Sequence, residues 1–333
     1  MLDERKTAIL RAIVQEYVTT GQPVGSSHIA NKSAVKVSPA TVRNEMAVLE
    51  AEGYLVQPHT SAGRIPTDKG YRHFVDTIAP EGVLDTADAT RVGDFFNAAH
   101  GRLDDLLRQT TNLLANITHH TALVVGPEVE ATTVKDVWIS RVTDRTATVV
   151  IVLSNHAVEN ETISIPSDTS DDHIASAVVH LRSVLVGRSL GQMGTIATTN
   201  DAHVDTVCLA TLNALSAHRN DKPVFVGGAA SLASAFDAVD VVRDVLATIE
   251  QQFVVVTLIQ DLLDRGLSVA IGAEHGVEPL AACSVIVSPV IAEGELVGSV
   301  GVLGPTRMNY PQALATVEAV GEQLGRHIAE GGA

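Results

Sequence analysis

Cysteine is nearly absent from this chain: Cys208 and Cys283 stand alone among 333 residues, each in an apolar setting. A disulfide framework or a thiolate metal site needs partners, so both residues read as buried core thiols. No run of about 18 uncharged apolar residues occurs, which excludes a helix that spans a bilayer. The start, Met1-Leu-Asp-Glu-Arg-Lys6, has neither the basic opening nor the apolar core of a signal peptide, and the expected location is cytoplasmic. The motifs of catalysis are missing as well: no Walker A sequence, no His-Glu-x-x-His, no Gly-x-Ser-x-Gly elbow, and no Cys–His cluster with metal spacing. Gly298, Gly301 and Gly304 recur at every third residue, which is not the dinucleotide fingerprint; on and after a strand they mark tight packing or a turn. His119 and His120 are adjacent and cannot face the same way on a helix. Asp171-Asp172-His173 reads as acidic residues favouring a helix N-terminus. These absences leave no catalytic residue, no cofactor and no metal to assign, and an enzyme is not expected.

Charge is present but unevenly placed. Through Ile78 there are 9 Lys and Arg against 8 Asp and Glu, a balance of +1, which leaves 14 against 31, or −17, for the remainder. Between His28 and Asn44 the chain holds Lys32, Lys36 and Arg43 and no acid, and Arg64, Lys69 and Arg72 form a second basic group interrupted only by Asp68. Such clustering in an otherwise acidic chain places phosphates at the head and repels them from the rest. A near-neutral head binds a duplex weakly by itself, so two heads are expected to act together.

The residues between those charges give the head its form. Ser38 can accept from the free N–H groups of a helix start, Pro39 suits the first helical position, and Gly53 suits the left-handed residue after the last turn. Val42, Met46 and Leu49 recur at helical spacing and form a buried stripe. Ala40, Arg43, Asn44 and Ala47 occupy the opposite face. Arg and Asn are the side chains that read guanine and adenine edges in a major groove. A shorter helix from Ser26 to about Lys32 and a linker from Ser33 to Val37 precede this one, the layout of a helix-turn-helix. An ordinary amphipathic helix in a small bundle has the same stripe, and the chain that follows distinguishes the two. Tyr54-Leu-Val-Gln-Pro58 and Ile65-Pro-Thr67 flank a polar tip, His59-Thr-Ser-Ala-Gly-Arg64, and read as the β-hairpin wing of a winged helix. Base contacts are expected from Arg43 and Asn44. Backbone or minor-groove contacts are expected from Lys36, Ser38, Thr41, His59, Thr60, Ser61 and Arg64. Leu10, Ile13, Val14 and Tyr17 supply a scaffold helix before the motif, and Tyr71, Phe74, Val75 and Ile78 a fourth helix after it.

Pro80-Glu-Gly-Val reads as a hinge. One long helix is expected from Thr86 to about Thr118, its stripe serving as a dimer seam or packing on the sheet that follows. Strands are expected at Ala122–Val125, Val134–Val142 and Ala147–Leu153, then at Leu267–Ile271, Ser284–Val290 and Glu295–Val302, with Gly294 at a hairpin turn and a closing helix from Pro311 to Ala329. Helices at Asp171–Val186 and Val204–Ala217 lie between the two strand sets. A long helix, antiparallel strands and a closing helix give an α+β sheet domain.

The stretch from Arg5 to Asp76 closely resembles the heat-inducible transcription repressors of the HrcA family. The residues that carry the resemblance are Gly21-Gln-Pro-Val-Gly-Ser26, Ser38 to Ala47, Pro58 to Thr67 and Gly70-Tyr-Arg72, with a second match at Ile271-Gly-Ala-Glu-His275 and Gly301-Val-Leu-Gly-Pro-Thr-Arg-Met-Asn-Tyr310. His275 stands where the family usually has Asn, and Asn309 where it often has Asp. The resemblance implies a multidomain α+β protein. Residues 1–78 would be a winged helix-turn-helix, 79–156 and 223–333 the two parts of a GAF-like antiparallel sheet domain, and 157–222 an inserted, mostly helical dimerisation subdomain. It further implies a homodimer on an inverted-repeat operator of double-stranded DNA, controlling chaperone operons and kept active by the GroE chaperonin. A regulator gated by a small molecule in its sensor domain is the alternative.

Overall fold

The computed structural model describes residues 2–32, 35, 37–59, 62–78, 84–99, 102–127, 133–154, 158–189, 198–217, 223–236, 238–266 and 268–330. The chain begins with α1 (Glu4–Thr20), α2 (Ser26–Ala30), α3 (Pro39–Ala51), a short hairpin of β1 (Leu55–Val56) and β2 (Ile65–Pro66), and α4 (Asp68–Ile78). Helix α1 starts where the Asp3 carboxylate accepts from the Lys6 N–H at 2.8 Å, and it ends at Gly21, whose φ of 66° is left-handed. Ile9, Leu10, Ile13, Val14, Ile29, Val42, Met46, Leu49 and Leu55 close the interior of this head. Truncating any of the fully buried Leu or Ile side chains to Ala costs about 2–5 kcal/mol.

Two helices follow, α5 (Thr86–Ala98) and α6 (Leu103–Thr118), where the sequence reads as a single one. Ala99 and Arg102 both adopt extended backbone, which ends one helix and starts the next. The apolar stripe continues on both sides of the break. Next come β3 (Thr121–Val125) and, far along the chain, β7 (Val224–Gly227), α9 (Ala230–Ala235), α10 (Val239–Glu250), α11 (Gln252–Asp264), β8 (Val269–Ile271), β9 (Cys283–Ala292), β10 (Glu295–Pro305) and α12 (Tyr310–Ala329). The five strands form one antiparallel sheet in the order β7-β3-β10-β9-β8. Alternation along β9 sends Ile286 and Val290 toward the core shared with α5, α6 and α12, and Val285 and Val287 toward α10 and α11. Gly298 and Gly301 sit where a Cβ would come within 2.4 Å of the Val125 carbonyl oxygen and 2.7 Å of the Ile286 carbonyl oxygen, so the glycine spacing is a packing requirement.

Between β3 and β7 lie β4 (Val134–Thr143), β5 (Thr146–Leu153), β6 (Val158–Ser164), α7 (Asp171–Leu185) and α8 (Ala202–Ala217). Here the sheet pairing differs from the grouping read from sequence. β4 and β5 were grouped with the first part of the sheet domain, 79–156, but they pair with β6 in a separate three-stranded sheet. Val137, Val149, Ile151, Leu153, Ile163, Leu181 and Val207 build a core of their own there. These strands pack with α7 and α8 as a unit apart from the five-stranded sheet. Both cysteines are buried thiols, and burial raises Cys208 to about 11 and Cys283 to about 12. No single helix among the described residues is long and apolar enough to cross a membrane.

The His119-His120 pair splits at the end of α6. His119 takes the left-handed position with φ of 57°, and His120 turns inward against β10, where Gly304 leaves room for its ring. Burial, with His119 beside it, lowers the His120 pKa from 6.5 to about 4. An imidazole that stays neutral when folded but takes a proton when unfolded stabilises the native state fully above pH 6.5. That stability is lost progressively as pH falls toward 4. The loss is on the order of 3 kcal/mol. Chemical denaturation at several pH values should show His120→Gln losing less stability than the parent across that window; parallel losses would remove His120 as the cause.

Candidate nucleic-acid interface

Helix α3 is built as the sequence pattern requires. The Ser38 side chain accepts from the Thr41 N–H at 3.2 Å, and the two hydroxyls lie 2.9 Å apart. Ser38 and Thr41 are thus tied to each other at the helix start. Val42, Met46 and Leu49 face the interior, which leaves Ala40, Arg43, Asn44 and Ala47 exposed on one side. No hydrogen bond or ion pair holds Arg43 or Asn44 among the described residues. Both are free to meet a ligand, and they occupy the first turns of the helix, the end that enters a major groove in helix-turn-helix proteins.

The wing is fixed beside that end by a short ladder. Val24 and Arg64 exchange backbone hydrogen bonds, each at 2.9 Å, so the loop before α2 becomes a third strip along β2. A Cβ at Gly63 would stand 2.3 Å from the Val24 carbonyl oxygen, which explains the glycine in the wing. The Gln57 side chain donates to the Ala62 carbonyl at 3.1 Å and closes the tip. His59 is exposed there. Lys36, Thr60 and Ser61 lie outside the described residues.

The basic groups behave differently from the sequence expectation. Arg64 is mostly covered and donates to Glu50 on α3 through Nε at 2.9 Å and Nη2 at 2.8 Å, which straps the wing to the helix. Lys69 donates to the Glu52 carbonyl at the end of α3, at 2.8 Å, and lies over the Tyr54 ring. Lys32 and His28 both reach Glu16, at 2.7 and 3.0 Å, and the Lys32 ammonium holds that carboxyl below its usual range. Arg72 faces the sheet domain. The other described cations of these clusters thus join parts of the head to one another or, for Arg72, to the sheet domain, and Arg43 is the described one on the α3 face left without a partner. Sequence reading did not find Glu50, Val24 and Gly63 as supports of the interface, because each depends on a contact between segments distant in the chain.

Comparison with known proteins agrees with this geometry. Residues 1–77 match the family model described as winged helix-turn-helix transcription repressor, HrcA DNA-binding, and residues 104–314 match the model of the HrcA protein C-terminal domain. The heat-inducible transcription repressor HrcA of Nocardioides sp. is 36% identical over 342 residues, covering 99% of this chain and 100% of that protein. The HrcA of Cutibacterium acnes is 38% identical over 348 residues, with the same coverage. A crystal structure of a hypothetical protein superposes with a TM-score of 0.72 at 24% identity, covering 99% of this chain and 100% of that one, and shares the fold. With a winged head at one end and the matching C-terminal domain behind it, this chain belongs to the HrcA family of heat-inducible transcription repressors.

Proposed function

We propose that the chain is a dimeric, sequence-specific repressor that reads an inverted-repeat operator through the first turns of α3. The single observation behind the proposal is the exposed, unpartnered pair Arg43 and Asn44 beside a wing fixed by the Val24–Arg64 ladder. Arg43 reads a guanine and Asn44 an adenine in the major groove. Ser38, Thr41, His59, Thr60, Ser61 and Lys36 contact the backbone or minor groove, and Arg64 acts through the wing it holds. The catalytic repertoire is empty in this reading, and the protein works by occupying DNA.

A symmetric dimer places its two recognition helices as a two-fold pair, and each half-site alone binds weakly. Pairing supplies the second head at a high effective concentration. The GAF-like identity of the five-stranded domain, dimerisation through the inserted three-stranded subdomain, and activity set by the GroE chaperonin belong to this proposal on the strength of family resemblance. Both faces of the five-stranded sheet are filled by the chain's own helices, and no observation favours a small-molecule gate.

Two measurements test the reading. Arg43→Ala and Asn44→Ala should each lose about 1–3 kcal/mol on an operator duplex selected by the parent protein, and much less on unrelated DNA. Equal losses on both would move these side chains to the phosphates. Arg64→Ala should weaken binding to both DNAs while leaving the slope of log affinity against log salt unchanged, because its guanidinium holds Glu50. A slope shallower by about one unit would place it on a phosphate instead.

A further inference from the structure

The two C-terminal motifs, Ile271–His275 and Gly301–Tyr310, meet the head. Arg72 on α4 donates to Glu274 through Nε at 2.9 Å and through Nη2 to the second carboxylate oxygen, and Nη2 also donates to the Val269 carbonyl at 2.8 Å. Glu274 is held in place by the Ile271 N–H, which donates to it at 2.9 Å. One turn earlier, the Asp68 carboxylate lies so close to Gly272 that a Cβ there would be 2.1 Å from Oδ2. Tyr71 packs its ring on Tyr310 with centroids 5.8 Å apart, and the Tyr310 hydroxyl is fixed by Ser284 at 2.7 Å and the Thr306 carbonyl at 2.6 Å. At the far end of α1 the Arg307 guanidinium covers Gly21, where a Cβ would stand 1.8 Å from it.

These contacts use α4 and the end of α1 and leave Arg43, Asn44 and His59 exposed. The apolar part of the joint attracts without preferring an angle. The bidentate Arg72–Glu274 pair, fixed further by a carbonyl and a backbone N–H, is directional. Without it the head would depend for its direction on the shared apolar core alone, which opposes separation more than it opposes small rotations or slides. A base pair rises only about 3.4 Å along the duplex, so a shift of a few ångströms in each head is enough to change the spacing between two heads by about a base pair.

We propose that the Arg72–Glu274 joint is a positioning device that determines specificity: by fixing each head on its sheet domain, it sets the half-site spacing that the dimer accepts. The inference rests on the dimeric DNA-binding reading above. It assigns to Arg72, Glu274 and Asp68 a part in operator choice although none of them faces DNA.

The test uses the full chain and inverted-repeat duplexes. A preferred duplex is first selected by the parent protein from a randomised library. Its spacer is then shortened and lengthened by one to several base pairs, and a single half-site serves as control. The parent should bind one spacing best and fall off steeply on either side. Arg72→Ala and Glu274→Gln, each confirmed folded and unchanged in oligomeric state, should lose that discrimination roughly tenfold while their half-site affinity stays the same. The double variant should be no worse than either single one, since both remove the same pair. Variants that keep the parental dependence on spacing overturn the inference, and so do variants that lose half-site binding in proportion, which would make the joint a support for folding the head. A parent that binds the inverted repeat no better than one half-site overturns the dimeric reading itself. That result is distinguishable because it appears before any substitution is made.

Discussion

Helix α4 has two faces to satisfy, and most of the architecture depends on how it does so. Its inner positions Tyr71, Phe74 and Val75 are buried in a core that runs without interruption from Ile9 in the head to Leu324 in the last helix. Each such side chain gains about 1.5–3 kcal/mol on leaving water. Phe96, Met308 and Tyr310 from the sheet domain belong to the same core, and Tyr310 lies against Tyr71. A winged helix drawn as a detachable module would expose this seam. Here the boundary between reader and scaffold is a shared interior, with charge placed at its rim.

The rim explains several features that composition could not. In sequence, Arg64, Lys69 and Arg72 form one basic run that looks prepared for phosphates. In the fold, each points a different way: toward Glu50, toward the end of α3, and toward Glu274. Successive residues on a short strand and a helix diverge in direction, and a list of charges carries no direction. The local signals were more reliable. The Ser38 cap, the Pro39 start and the Val42–Met46–Leu49 stripe gave α3 its exact face, because a cap and a period of 3.6 residues are decided within one segment.

The same distinction separates what was legible in the remainder from what was not. Strands β3, β9 and β10 follow their hydrophobic runs, and the turn at Gly294, with φ of 85°, lies where its glycine suggests. Strands β6 and β7 went unread: β6 is rich in polar residues on its open face, and β7 is four residues long. The assignment of β4 and β5 to the wrong sheet has a different cause. A strand's pattern tells which residues face inward, but not which partner it will pair with; β4, β5 and β6 pair in succession, and with β6 unread the separate sheet could not be seen. The two C-terminal motifs were visible as motifs, yet their purpose depends on contacts spanning some 200 residues, such as Arg72 to Glu274 with a separation of 202.

A head made rigid in this way has consequences for how it can bind. Cations engaged by Glu16, Glu50 and Glu274 are not available to phosphates unless those pairs open, so the sequence-independent attraction is smaller than the charge count through Ile78 suggests. In the proposed reading affinity then comes from geometry: two heads held at a fixed distance, each presenting a few side chains such as Arg43 and Asn44 to base edges. Such an arrangement loses little entropy on binding because its parts are already placed. It also makes the outcome sensitive to anything that alters the placement. A scaffold that shares its core with the reader can therefore pass a change in its own packing to the DNA surface, whereas a head on a loose tether could not.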